Sequence, residues 1–254
     1  MAAKTHYVVI KTTADLLDHT ENGPRIGQRD SQLLFGETFT AQRTEGEWIY
    51  GTSDVDGYVG YINQRHLAPL TVAATHIVSS TGTHVYPDPD FKTRPIMALG
   101  FMSRVSVNGS APQNGFLEIQ DMGWVPHNHL EPISKLGHES DIAKTALKFL
   151  NVPYLYGGRT GLGIDCSGLT QLSLLYAGVQ SPRDSDQQIG LGTDVKPADI
   201  KRGDLVFFKG HVGIMVDETS AINATARTMD TRVEPLSTLI DHYKGLLGAR
   251  RIAL

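Results

Sequence analysis

The sequence predicts an α+β domain at its C-terminal end, preceded by two small all-β barrels. Three observations lead there. The first half is dense in short alternating apolar runs broken by turn signals. That half also holds two copies of one pattern. From His138 the apolar period changes from that of a strand to that of a helix, and strand-like runs return only after residue 204.

The runs of the first half are Tyr7–Lys11, Leu33–Phe39, Glu47–Thr52 and Gly57–Ile62, with turns marked by Asn22-Gly23-Pro24, Glu45-Gly46 and Asp56-Gly57. The first copy reads Glu47-Trp48-Ile49, then Gly57-Tyr58-Val59-Gly60-Tyr61-Ile62, then His66-Leu67-Ala68-Pro69. The second reads Phe116-Leu117-Glu118-Ile119, then Gly123-Trp124-Val125-Pro126, then His129-Leu130-Glu131-Pro132. Residues 70–75 join the copies, and Pro132–Gly137 links them to the C-terminal domain. The expected domains are therefore 1–72, 73–133 and 134–254. The recurring strand, turn and Leu-x-Pro exit resemble bacterial SH3-like domains.

In the last segment Ile142, Ala143, Ala146, Leu147 and Leu150 share one helical face. Ser140 or Asp141 stands ready to cap it, and Asn151-Val152-Pro153 ends it. A second helix is expected from Cys166 through Leu169, Leu172 and Leu175 to about Ala177, with Gly178 as its stop. Strands are expected at Leu205–Phe208, Val212–Val216, Thr219–Ala224, Thr231–Leu236 and Arg250–Ala253. Helices first and an antiparallel sheet after give an α+β domain.

Composition bounds the function. The chain has 254 residues, a formal net charge of −4 and no block of Lys or Arg, so nucleic acid and acidic membrane surfaces are poor partners. The apolar run at Tyr7–Ile10 is too short for a signal-peptide core, and no stretch approaches the roughly 20 apolar residues of a membrane span. The expected location is the cytoplasm. There is one cysteine, hence no internal disulfide. No His-Glu-x-x-His helix and no second cysteine offer a metal set, and Gly157-Gly158 lacks the Lys-Ser/Thr of a phosphate loop. Neither metal nor cofactor is expected. The oligomeric state is not written in the sequence.

The residues that carry chemistry cluster in four segments: Pro153-Tyr154-Leu155-Tyr156-Gly157-Gly158, Asp165-Cys166-Ser167-Gly168, Gly203-Asp204-Leu205-Val206-Phe207-Phe208 and His211-Val212-Gly213-Ile214. A cysteine at a helix start meets unpaired N–H groups and a partial positive charge, both of which favour thiolate. The glycines ahead of it would let a substrate backbone come close. A free thiol would be only a few per cent ionised at neutral pH, so a base is needed, and His211 opens a strand just after a tight Gly turn.

In this order the four segments resemble the NlpC-type (NlpC/P60) family of papain-like cysteine peptidases over residues 138–254. The resemblance implies Cys166 as nucleophile, His211 as base, and a third polar residue on the next strand. The matching position is Asn223, where the family commonly has His. It also implies Tyr154 as a donor to the oxyanion beside the Cys166 N–H. In members that process free murein peptides, an Arg-Asp-Ser segment grips the substrate ammonium, here Asp184 and Ser185 after Arg183. The first SH3-like domain adds a Glu and a Tyr, best matched by Glu37 and Tyr58, with Tyr61 a rival. Ser167 would bond the D-Glu carboxylate. The implied activity is hydrolysis of the γ-D-Glu–diamino acid bond in murein peptides with a free N-terminal L-Ala.

The residues leave other readings open. The same chemistry suits a secreted or phage-type wall hydrolase with SH3-like wall-binding modules and an open groove. A binding protein that kept the fold, or an acyltransferase or amidase on the same scaffold, is distinguished only by activity.

Overall fold

A computed structural model describes residues 5–20, 23–109 and 111–254; for 19–20 and 23–27 only the backbone is described. The predicted turn residue Asn22 lies outside the described residues. The chain divides into two compact units, Met1–Lys135 and Leu136–Leu254.

The first unit is all-β. Strands β1 (Thr5–Val9), β2 (Thr13–Thr20), β3 (Gly23–Leu34), β4 (Thr38–Glu45), β5 (Trp48–Ser53), β6 (Val59–Asn63) and β7 (Leu67–Pro69) form one sheet in the order β3-β2-β6-β5-β4-β1-β7. Inward residues Val9, Leu16, Leu33, Phe39, Ile49 and Ile62 make its core. The expected run Leu33–Phe39 is not one strand. Gly36 sits at φ +77°, and a Cβ there would lie 1.9 Å from the Arg104 carbonyl oxygen, so the chain turns at 35–37. Gly46 and Gly57 turn the chain at φ +60° and +77°, where turns were expected.

The remainder of this unit holds β8 (His76–Val78), β9 (Gly82–Val85), β10 (Met97–Gly100), β11 (Arg104–Val105), β12 (Phe116–Ile119), β13 (Gly123–Pro126) and β14 (Leu130–Pro132). They pair as β10-β9, β11-β8-β14 and β12-β13 around a second core that includes Val78, Val85, Leu99, Ile119 and Val125. The two sequence copies share a local course, although β5 and β6 lie in the seven-stranded sheet and β12 and β13 form a two-stranded sheet. The hairpin β5-β6 leads through a 3-10 turn at Gln64–His66 into β7, and the hairpin β12-β13 leads through a 3-10 turn at His127–His129 into β14.

The second unit opens with α1 (Ile142–Leu147), capped by Asp141, whose Oδ1 accepts the Lys144 N–H at 3.1 Å. The helix is shorter than its apolar spacing predicts. Leu150 lies beyond it and is 43% exposed, while Phe149 takes the buried place. A small ribbon comes next, β15 (Arg159–Thr160) with β16 (Gly163–Ile164). Then come α2 (Cys166–Tyr176) and α3 (Ser185–Gln188).

The sheet of this unit is antiparallel and six-stranded, ordered β17-β22-β18-β19-β20-β21. Its strands are β17 (Thr193–Asp194), β18 (Leu205–Phe208), β19 (His211–Met215), β20 (Ser220–Thr225), β21 (Asp230–Pro235) and β22 (Gly248–Arg251). An additional helix, α4 (Leu236–Tyr243), separates β21 from β22 and packs Leu239 into a core with Val206, Phe208 and Met215.

Helix α2 begins at Cys166 and ends where expected, with Ala177 as cap and Gly178 at φ +77°. It is buried on all sides rather than along one stripe. Two of its hydroxyls are satisfied within the helix: Thr170 Oγ1 donates to the Cys166 carbonyl at 3.1 Å and Ser173 Oγ to that of Leu169 at 2.8 Å. The helix packs against β19, with its first residue, Cys166, at the Val212 N–H.

Candidate active site

Asp165 builds the start of α2. Its Oδ1 accepts the Gly168 N–H at 2.7 Å as an N-cap, and its Oδ2 accepts the Gly157 N–H of the preceding loop at 2.8 Å. The Arg183 guanidinium binds both oxygens, at 2.9 and 2.6 Å, and donates to Ser167 Oγ at 2.7 Å. Arg183 is 1% exposed. The buried pair thus joins the glycine loop, the helix start and the Arg183-Asp184-Ser185 segment. Gln188 reinforces the last join, donating to the Ser167 carbonyl at 2.9 Å and that of Pro182 at 3.0 Å.

Gly158 and Gly168 serve this packing. A Cβ on Gly168 would lie 2.5 Å from the Gly158 carbonyl oxygen, and one on Gly158 the same distance from that of Gly163. The loop and the helix start touch backbone to backbone.

Cys166 is 8% exposed, and its sulfur is met by the backbone N–H groups of Val212 and Ser167. Val212 comes directly after His211 on β19, so the thiol faces the strand that carries the imidazole. Burial pushes the thiol up to about 12, and the Asp165 carboxylate adds to that; the amides and Arg183 oppose it without prevailing.

His211 is held just as closely. A tight turn through Gly210, φ +70°, pairs it with Phe208. Its ring stacks on Tyr243 of α4, centroids 4.6 Å apart and planes 15° apart. Nε2 lies 3.0 Å from Asn223 Oδ1. Burial lowers the imidazole to about 4, with the Asn223 hydrogen bond and the Glu234 charge pulling the other way. Because the amide oxygen can only accept, Nε2 carries the proton, and Nδ1 is the basic nitrogen. Burial thus works against the charged form of both groups.

The other predicted residues have varied settings. Tyr154 is half-buried. Burial and the nearby Cys166 and Asp165 charges raise its phenol, so it stays a proton donor at any working pH. Asp184 occupies the N-cap position of α3 without a side-chain capping bond, and Ser185 is the first helical residue. Glu37 is buried in the turn after β3, where Oε2 accepts the Leu34 N–H at 2.8 Å. Tyr58 is half-buried against the first core. The hydroxyl of its rival Tyr61 is committed to Glu45 Oε2 and Arg43 Nη2, both at 2.9 Å. Cys166, Ser167, Tyr154, His211 and Asn223 share one neighbourhood. Glu37 and Tyr58 belong to the other unit. Sequence reasoning assigns no role at the site to Asp165, Arg183 or Tyr243. Asp165 carries the local signal of an N-cap residue, and Tyr243 that of the helical spacing of Leu236, Leu239, Ile240 and Tyr243. Among the described residues no group of three or more His, Cys, Asp or Glu is placed to hold a metal.

A helix that presents a thiol to an imidazole on a facing antiparallel sheet, with an amide behind the ring, places the chain among the papain-like cysteine peptidases. Residues 151–246 match the NlpC/P60 family, and residues 22–67 match the bacterial dipeptidyl-peptidase Sh3 domain. Two similar proteins are gamma-D-glutamyl-L-lysine dipeptidyl-peptidases. That of Bacillus cereus is 33% identical over 87% of this chain and 74% of its own length; that of Bacillus subtilis is 28% identical over 87% and 80%. A crystal structure of an NlpC/P60 family protein from Bacillus cereus shares the fold, with a TM-score of 0.84 over 97% of this chain and 99% of that one at 20% identity. The chain belongs to the NlpC/P60 family, and it is a hydrolase of the cysteine-peptidase type.

Proposed function

We propose that the chain hydrolyses the γ-D-Glu–diamino acid bond of murein peptides that carry a free N-terminal L-Ala, working in the cytoplasm on peptides released from the wall. The observation that carries the chemistry is the 3.0 Å contact between His211 Nε2 and Asn223 Oδ1: an accepting oxygen there favours the proton on Nε2 and leaves the Nδ1 lone pair for the thiol. In this reading the proton moves during attack, because burial works against the charged form of both groups. Nδ1 takes the Cys166 proton as sulfur bonds to the carbonyl carbon, and the Cys166 N–H and the Tyr154 phenol stabilise the oxyanion. The C–N bond then breaks, the amine leaving with the proton from His211. Water, deprotonated by the same nitrogen, releases the acyl product from the thioester.

Substrate choice rests on the named activity of the two Bacillus relatives, each of which aligns with most of this chain. In this reading residues 1–72 and 73–133 are two SH3-like barrels ahead of the peptidase domain at 134–254. Asp184 and Ser185, with Glu37 and Tyr58 from the first barrel, bind the ammonium of L-Ala. Ser167 takes the D-Glu carboxylate, beside the Arg183 guanidinium. The test is mass spectrometry of products from L-Ala-γ-D-Glu-diamino acid peptides with free and acetylated N-termini. The expected result is a released L-Ala-γ-D-Glu dipeptide from the free peptide and little cleavage of the blocked one. Equal cleavage of both, together with release of peptides from intact sacculi, would replace this reading with that of an open-groove wall hydrolase.

A further inference from the structure

Asn223 is fully buried on β20, and its amide is surrounded asymmetrically. Oδ1 faces His211 Nε2. Nδ2 donates to Glu234 Oε2 at 3.2 Å and to the Arg232 carbonyl at 3.4 Å. Both partners on the nitrogen side can only accept, so the amide has one favourable orientation. Of the two, the carboxylate is the nearer and the charged one. Glu234 is itself buried, on the neighbouring strand β21, and its other oxygen, Oε1, takes the guanidinium of Arg227 from the β20–β21 turn. A chain of hydrogen bonds therefore runs from Arg227 through Glu234 and Asn223 to the imidazole.

We propose that Glu234, held by Arg227, is a positioning residue of the peptidase site: it locks the Asn223 amide with its oxygen toward His211 and so selects the tautomer with the lone pair on Nδ1. This rests on His211 acting as the base. An amide turned by 180° would present Nδ2 to the ring, favour a lone pair on Nε2, and leave Nδ1 protonated and useless toward the thiol. A histidine at position 223 would face a similar need for orientation, but an amide has near-equal faces and depends on its partners more heavily. The remaining groups around the imidazole do not supply this selection. Tyr243 stacks on it, Phe208 lies 6.2 Å from it between ring centroids, and His242 and Arg227 oppose its protonation by charge. The Cys166 sulfur takes the N–H of Val212, the residue after His211.

The test uses the full chain and three variants, Glu234→Gln, Glu234→Leu and Arg227→Gln. Two readouts apply: the pH profile of kcat/KM on the free peptide, and nitrogen-15 NMR of the His211 ring. Glu234→Leu should lower kcat by about tenfold or more with KM changed less than about twofold, and its spectrum should show the Nδ1–H tautomer appearing. Loss of the Glu234 charge in Glu234→Gln should move the acid limb to lower pH, and loss of the Arg227 charge should move it to higher pH. A general loosening of the fold would not produce opposite shifts. Wild-type tautomer and acid limb in the folded Glu234 variants would overturn the proposal, as would shifts of the same sign in Glu234→Gln and Arg227→Gln. If Glu234→Leu does not fold, the two Gln variants decide. A wild-type chain without peptidase activity, or a Cys166→Ala chain that keeps it, would instead overturn the reading of the site, and the ring spectrum would still report on Glu234.

Discussion

Arg183 and Asp165 form a two-pronged ion pair sealed from solvent directly behind the nucleophile, with both carboxylate oxygens also accepting backbone N–H groups. Removing one member of such a pair leaves the other as an uncompensated buried charge, which costs about 3–5 kcal/mol. Arg183→Met should therefore lower stability by that amount in urea unfolding. Its remaining activity should be depressed in kcat, because the glycine loop and the helix start are no longer tied together. A variant as stable as the parent would show that water reaches Asp165 and solvates it.

Cys166→Ala should retain the fold and lose hydrolysis by about 10⁴-fold or more, the scale seen when a nucleophile is removed. The resting thiol is held up to about 12 by burial and Asp165. Alkylation of the parent chain by iodoacetamide should accordingly rise steadily from pH 6 to pH 10. A reactive plateau reaching down to pH 5 would demonstrate a preformed thiolate instead.

Much of this arrangement is written locally in the chain. Asp165 ahead of Cys166 and Gly178 after Ala177 delimit α2, and the Lys209-Gly210 turn puts His211 at the head of its strand. The two 3-10 exits repeat because the same short turn and Leu-x-Pro occur twice. What escapes is either context or competition. Leu33–Phe39 alternates like a strand, yet the backbone of Arg104, distant in sequence, leaves no room for a side chain at position 36. Reading 231–236 as a strand absorbs Leu236 and hides the helical spacing that continues to Tyr243. The Asp165–Arg183 and Asn223–Glu234 links arise from packing between elements and cross-strand register, which no short motif encodes.

His211 makes stability depend on pH. Its imidazole is lowered by burial to about 4 from an ordinary 6.5, so between those values the unfolded chain binds more protons than the folded one. Stability at this site is complete above pH 6.5 and is lost as the pH falls toward 4, by up to about 3 kcal/mol at 1.36 kcal/mol per unit. Comparing urea midpoints of the parent and His211→Gln at pH 4.5 and pH 7 isolates the contribution from the other histidines. The parent should lose more stability on acidification than the variant. An equal loss in both would mean that His211 titrates normally.

Gly168 tests whether the close approach of loop and helix matters for the chemistry. Its backbone is helical, so alanine there is welcome by intrinsic preference, which favours Ala over Gly by about 1 kcal/mol in a helix. The added methyl would nevertheless meet the Gly158 carbonyl at 2.5 Å, a contact between two backbones with no flexible side chain to yield. Steric conflict should win, because overpacking of this kind costs about 1–3 kcal/mol. To relieve it, the loop carrying Tyr154 must draw away from the helix that carries Cys166. Gly168→Ala should thus melt lower than the parent and lose kcat by about tenfold or more, the scale of loss expected when catalytic groups are displaced. A melt at or above that of the parent with unchanged kcat would show that the loop has another position compatible with catalysis.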